Sequence, residues 1–318
     1  MKKQREPVTL KETGIMTSDT VDSLSDYHNK LRTLNADGSW IYRGQSEADW
    51  KLVPSVFRGI GELVPPYEDT DAEWIAMLER DIYRTFDQEY VKCMPAKNHW
   101  DRLALAQHYG TPTRLLDWTR SASIAAYFAT AKPKGKQAAV WCLNLSRYPF
   151  PDFLGRITKT YGHRKAVLGS IAAQRQPSFF QEISKTLVPR PPGKRAKSLL
   201  SDSALLDREE GFLVVLDPPK FDDRIEAQKG LFTFHYSFDD YDLVWDLTRH
   251  LQDVEADIKE TLLHKFVIPQ GVRDTFRGEL EKSDNLNWHQ LFPDIAGLGD
   301  WLVMEREAQF KGNAALRK

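Results

Sequence analysis

Fourteen residues in the middle of the chain, Gln107-His108-Tyr109-Gly110-Thr111-Pro112-Thr113-Arg114-Leu115-Leu116-Asp117-Trp118-Thr119-Arg120, constrain its fold most. They combine two arginines, a histidine, an aspartate and two aromatics with a rigid Gly-x-Pro turn. Neither a core strand nor an amphipathic helix suits that composition. Gly110 and Pro112 break any helix arriving over Trp100 to Gln107. Ser121 to Ala129 reads as the next helix. The polar cluster is therefore expected on a connection framed by two regular elements, where sites tend to be built.

The rest of the chain alternates strand and helix patterns without a regular βαβ beat. Met1 to Thr20 is polar and reads as a loose arm, and Leu24, Tyr27 and Leu31 have helical spacing. A short strand is expected over Trp40 to Tyr42, leading into Arg43-Gly44-Gln45. Trp74 to Tyr90 carries a helical repeat. Pro133 to Gly135 reads as a turn. Buried strands are expected over 138–145, 211–216 and 231–235. A helix is expected over Asp240 to His264, followed by a strand over Lys265 to Pro269. This order predicts an α+β fold, one mixed domain with a mainly antiparallel sheet. Its boundaries are an N-terminal arm and helix (1–36), the domain (37–302) and a C-terminal tail (303–318).

Composition excludes several classes. With 41% hydrophobic residues in 318, the chain can bury a core. A formal net charge of −1 gives no global pull toward nucleic acid or membrane. Cys93 and Cys142 have no metal-ligand spacing, which fits a reducing compartment. No secretory h-region is present, and no apolar run approaches the ~20 residues of a membrane span. A cytoplasmic protein without a membrane partner is expected. Charge is nonetheless uneven: Arg156 to Ser198 holds ten Lys/Arg against the lone Glu182. Arg156 to Lys197 reads either as a phosphate-attracting surface for nucleic acid or as a solvated insertion.

Three blocks resemble the FRG-domain family. The first is Tyr42-Arg43-Gly44-Gln45, followed by Trp50 to Arg58. The second is Ala106 to Thr119, continuing through Ala125-Ala126-Tyr127-Phe128-Ala129. The third is Arg224-Ile225-Glu226-Ala227-Gln228-Lys229-Gly230-Leu231-Phe232-Thr233, and Leu291 to Leu298 is similar to the family's closing pattern. The block order resembles, more distantly, that of ADP-ribosyltransferases: an Arg ending a first strand, a Ser/Thr-rich second strand entering a helix, then a Glu or Gln opening a late strand. The resemblance implies an ADP-ribosyltransferase-like fold and an NAD-dependent ADP-ribosyltransferase or NAD glycohydrolase, in the manner of a bacterial toxin or anti-phage effector. NAD would be its substrate, with no metal. A non-catalytic FRG-type module binding a nucleotide or nucleic acid is the alternative. A protein inhibitor stays open as a partner. A metal-dependent nuclease is disfavoured, because no tight ligand spacing such as His-x-x-x-His occurs.

Cleaving nicotinamide from ribose creates an oxocarbenium-like centre, which an anion or strong acceptor stabilises. The diphosphate calls for a fixed cation, for which Arg offers a bidentate fork. On the resemblance, Arg43, Asp117, Glu226 and Gln228 are the candidate catalytic residues. Tyr42, Gly44, Gln45, His108, Tyr109, Thr113, Arg114, Trp118, Thr119 and Tyr127 are candidates for holding the substrate. Each has a structural alternative. Arg43 could pair with Asp117 as a structural ion pair, and Asp117 could cap the Ser121 helix or fix Arg114. His108 could complement a helix C-terminus. Trp118 and Tyr127 could be core, Gln228 could bond backbone, and Glu226 could be a solvated charge.

Overall fold

The computed structural model describes residues 17–37, 39–58, 81–82, 84–86, 88–89, 99–131, 136–148, 212–216, 223–236 and 246–315. Among them a seven-stranded sheet is built from β1 (Thr17–Thr20), β2 (Trp40–Gln45), β3 (Leu115–Thr119), β4 (Ala138–Asn144), β5 (Phe212–Leu216), β6 (Gly230–Tyr236) and β7 (Leu263–Ile268). Their spatial order is β1-β7-β4-β2-β3-β6-β5. Only β1 runs parallel to its neighbour; every other pairing is antiparallel. The helices are α1 (Leu24–Leu34), α2 (His99–His108), α3 (Ala122–Thr130), α4 (Asp223–Ala227), α5 (Leu247–Ile258), α6 (Arg273–Ser283), α7 (Trp288–Leu291) and α8 (Ile295–Ala315).

The pleat sends alternate side chains to opposite faces, and each face has its own core. Tyr42, Val140, Cys142 and Phe266 pack with Tyr27 of α1, Ile124 and Ala125 of α3, and Phe276 of α6. Ile41, Trp141, Leu143, Leu116 and Trp118 pack on the other face with Leu247, Leu251 and Val254 of α5. The result is a mixed α/β architecture with helices on both faces of one mainly antiparallel sheet. No described helix is long and apolar enough to cross a membrane.

Local chemistry sets the element ends. Ser23 caps α1 by accepting from Asp26 N, and the buried Leu24, Tyr27 and Leu31 keep the expected spacing. Ser121 caps α3 in the same way through Ile124 N. Two expectations change. The end of the polar arm, Thr17 to Thr20, pairs with β7 as a strand. The helix expected up to His264 ends at Ile258, because Lys259 takes a left-handed conformation with φ 56°. Glu255 then turns the chain: its Oε1 accepts from Leu262 N and Leu263 N at 2.6 and 2.7 Å, launching β7 with His264 inside it. In the sequence, the apolar Leu262-Leu263 pair makes helix and strand read as one run. The expected turn at 133–135, most of the 74–90 helix and the 156–198 basic segment lie outside the described residues.

Candidate functional site

The sheet has a seam. β2 pairs with β4 at six positions but with β3 at one, Tyr42 opposite Thr119. Past that pair the strands share no register, and a cavity of about 400 Å³ lies there, within the range of small-molecule sites. Arg43 and Gly44 line it from β2, Asp117, Trp118 and Thr119 from β3.

Arg43 fills the opened ladder. Its Nη1 donates to the Asp117 carbonyl at 2.6 Å and sits 3.4 Å from Asp117 Oδ2. Its Nε is buried without a hydrogen-bond partner. Burial pulls the guanidinium pKa below its ordinary value and the Asp117 charge pushes it back up, so the group stays charged. Gly44 has a separate reason to be there: a Cβ would stand 1.9 Å from Ala125 O and 2.7 Å from Ala129 N. Helix α3 crosses β2 against bare backbone. In the Arg-Gly pair, one residue spans the seam and the other lets the helix seat on it.

The polar motif around Asp117 forms a relay. Helix α2 ends in a Schellman turn, with Gly110 at φ 79°, Gly110 N donating to Gln107 O and Thr111 N to Ala106 O. That turn brings Thr113 beside Gln107. Leu115 N donates to Thr113 Oγ1, whose hydroxyl donates to Gln107 Oε1 at 2.6 Å. Gln107 therefore presents its amide NH2 to Asp117, reaching both carboxylate oxygens at 3.0–3.1 Å. Ser55 fixes Thr113 in turn, accepting from Thr113 N and donating to Thr113 O. The expectation that the whole cluster forms a connection is corrected here. Leu115 to Thr119 is a strand with neighbours on both sides, its outer positions polar because they face the cavity.

The second wall comes from farther along the chain. Thr119 Oγ1 donates to Gln228 O and accepts from Ser121 N, and Arg120 N donates to Lys229 O. These bonds tie the end of β3 to the turn between α4 and β6, where Lys229 takes φ 48°. Gln228 lines the cavity and gives its Nε2 to Leu291 O. Arg224, Phe128 and Phe292 line it as well, with the Arg224 guanidinium carbon 4.3 Å from the Phe292 ring centre.

Of the candidates, Tyr42, Arg43, Gly44, His108, Asp117, Trp118, Thr119 and Gln228 line the cavity. The rest do not. Gln45 is spent on Trp141 Nε1 and Lys51 O. Thr113 is buried in the relay. The Arg114 guanidinium lies 5.5 Å from the Phe57 ring centre. Tyr127 is core, under the Arg277 guanidinium. Tyr109 is exposed. Glu226, expected at the start of a late strand, is an exposed residue of α4 instead. Within the lining set, Trp118 is a core side chain, with its Nε1 donating to Thr233. The Tyr42 hydroxyl donates to Asn35 Oδ1, and burial raises its pKa to about 12. Asp117 does not cap α3, because Ser121 does. Gln107, Phe128, Arg224, Ile225 and Phe292 also line the cavity, beyond the candidates that the sequence offers. Gln107 sits inside the central motif, and Phe292 inside the closing Leu-Phe-Pro-Asp pattern. Among the described residues no group of three or more His, Cys, Asp or Glu could hold a metal ion.

A stretch of the chain, residues 38–138, matches the family model of the FRG domain. It contributes β2, the α2–β3 relay and α3, whereas Arg224, Gln228 and Phe292 come from beyond it. No curated protein and no solved structure matches the chain.

Proposed function

We propose that the cavity binds NAD and that the protein cleaves the nicotinamide–ribose bond, as an ADP-ribosyltransferase or, with water as acceptor, an NAD glycohydrolase. The observation that carries this reading is the meeting of Arg43, Asp117 and Gln228 in one cavity from three separate stretches of sequence. Asp117 offers a carboxylate already oriented by Gln107 and Arg43, the preorganised anion that a developing oxocarbenium centre requires. Gln228 lines the cavity with its amide nitrogen given to Leu291 O, and its acceptor oxygen would serve the sugar hydroxyls. Phe128 and Phe292 offer apolar faces for a ring. In the hydrolytic case the glycosidic electron pair leaves with nicotinamide. A water oxygen bonds to the anomeric carbon, and its proton passes to Asp117 or to solvent. A toxin or anti-phage role, and nucleic acid held by the 156–197 segment as acceptor, belong to the same proposal.

The second reading is a non-catalytic nucleotide-binding module. It is favoured by the same pairing, since Arg43 and Gln107 already satisfy the Asp117 carboxylate. Purified protein incubated with labelled NAD separates the two. Nicotinamide release or label transfer that falls about 100-fold in Asp117→Asn supports the enzyme, the loss being typical of one preorganised electrostatic group. NAD bound but unaltered points to the module. No NAD binding at all sinks the enzyme, and no binding of NAD, ADP or adenosine sinks the nucleotide-binding module as well.

A further inference from the structure

Resting on the enzyme reading above, we propose that Thr113 is a positioning residue for the reaction. It does not meet the ligand. Its single hydroxyl proton decides which end of the Gln107 amide faces the Asp117 carboxylate.

Thr113 is buried and does not line the cavity. Its backbone is pinned to the short turn Ser55–Phe57: Thr113 N donates to Ser55 Oγ at 3.0 Å, and Thr113 O accepts from the Ser55 hydroxyl at 3.2 Å and from Val56 N. Its Oγ1 accepts from Leu115 N at 3.0 Å, and its proton goes to Gln107 Oε1 at 2.6 Å. A side-chain amide carries its acceptor on one end and its donors on the other. With Oε1 held by Thr113, Gln107 Nε2 stands as donor 3.1 and 3.0 Å from the two Asp117 oxygens. Turning the amide over would set Oε1 against that carboxylate, acceptor against acceptor, and leave the buried Thr113 proton without an acceptor. The contacts thus run from Ser55 through Thr113 and Gln107 to Asp117, and only the last two side chains reach the cavity. Without the Thr113 hydroxyl, Gln107 Oε1 loses the donor that holds it, and the amide can swing off the carboxylate. Asp117 acts on a charge that exists only as the nicotinamide–ribose bond breaks. Its orientation therefore bears on kcat rather than on NAD binding.

Nicotinamide release by the full chain tests this in Thr113→Val, Thr113→Ser, Gln107→Ala and the Thr113→Val/Gln107→Ala double variant. Thr113→Val keeps the shape of the side chain and removes the hydroxyl. It is expected to lower kcat about 10-fold, the worth of one hydrogen bond, with KM within about twofold. Thr113→Ser restores the hydroxyl and is expected to recover most of that loss. In the Gln107→Ala background, Thr113→Val is expected to cost no further turnover, because its effect passes through Gln107. Proton–nitrogen NMR spectra supply a readout besides turnover. The Gln107 side-chain amide signals, assigned by their absence from Gln107→Ala, are expected to shift in Thr113→Val and to return in Thr113→Ser. Additive kcat losses in the double variant overturn the proposal, as do equal losses in the Val and Ser variants. If Thr113→Val does not fold, Gln107→Glu decides. It still accepts from Thr113 but has no donor for Asp117, so lost turnover supports the proposal and retained turnover overturns it. A wild-type protein that releases no nicotinamide overturns the enzyme reading instead. The Gln107 signals then test Thr113 alone, and signals unchanged in Thr113→Val overturn its role.

Discussion

On one side β2 is laddered to β4 through six register pairs; on the other it meets β3 at Tyr42 and Thr119 alone. The laddered half carries a buried hydrophobic core of Tyr27, Val140, Phe266 and Phe276 on one face, with α3 pressed onto Gly44. At the seam, side chains replace backbone pairing: Arg43 bonds a β3 carbonyl, Gln107 holds Asp117, and Thr119 holds the turn at Gln228. A sheet can thus open a ligand-sized space at its centre without an unsatisfied edge, provided polar side chains take over the ladder.

The largest effect is expected on the laddered side. Gly44→Ala forces a methyl group into the α3 backbone and should cost ~3 kcal/mol or more, which urea denaturation would read. A midpoint equal to wild type would show that α3 does not seat on β2 as described. At the seam, Gln107→Ala frees Asp117 and leaves Thr113 without its acceptor. A stability loss of about 2 kcal/mol is expected, with a larger proportional loss of nicotinamide release. If turnover were untouched, the relay would be structural only.

A smaller effect distinguishes the halves by pH. His264 in β7 lies with Nδ1 2.7 Å from Thr17 Oγ1, and burial lowers its pKa below the ordinary 6.5 while Asp19 pushes it up. The unfolded chain therefore takes up the proton first. This contribution is fully present above pH 6.5 and is lost as pH falls from there toward the lower folded value. His264→Gln should flatten the fall in unfolding midpoint over that window; identical pH profiles would remove His264 as the cause. Last, Glu226→Gln should change stability by less than ~0.5 kcal/mol and leave NAD turnover alone. A strong loss of turnover would place Glu226 at the cavity after all.

Much of the laddered half is legible in the sequence, because its signals are local. Leu24, Tyr27 and Leu31 mark α1, Ser121 and the alanines mark α3, and the apolar run from Ala138 marks β4. The seam is harder to read. Asp117 and Thr119 look like loop residues until the cavity that they face is known, so β3 hides behind its own site. Arg43 and Asp117 are legible through their motifs. The wall of Arg224, Gln228 and Phe292 exists only through packing between distant segments, which no local pattern encodes. Glu226 misleads for the same reason: a five-residue helix leaves no periodicity to place its exposed side.

One small element governs how this protein behaves in a crowd. β1 is four residues long, Thr-Ser-Asp-Thr, and lies along β7, whose Leu263, Phe266 and Ile268 are buried. Without it, a six-residue strand rich in apolar side chains would offer its open backbone to any passing chain. A short strand with a carboxylate at Asp19 is a poor template for further pairing. Deleting Thr17 to Thr20 is therefore expected to show first as turbidity, from pairing at the uncovered β7 edge.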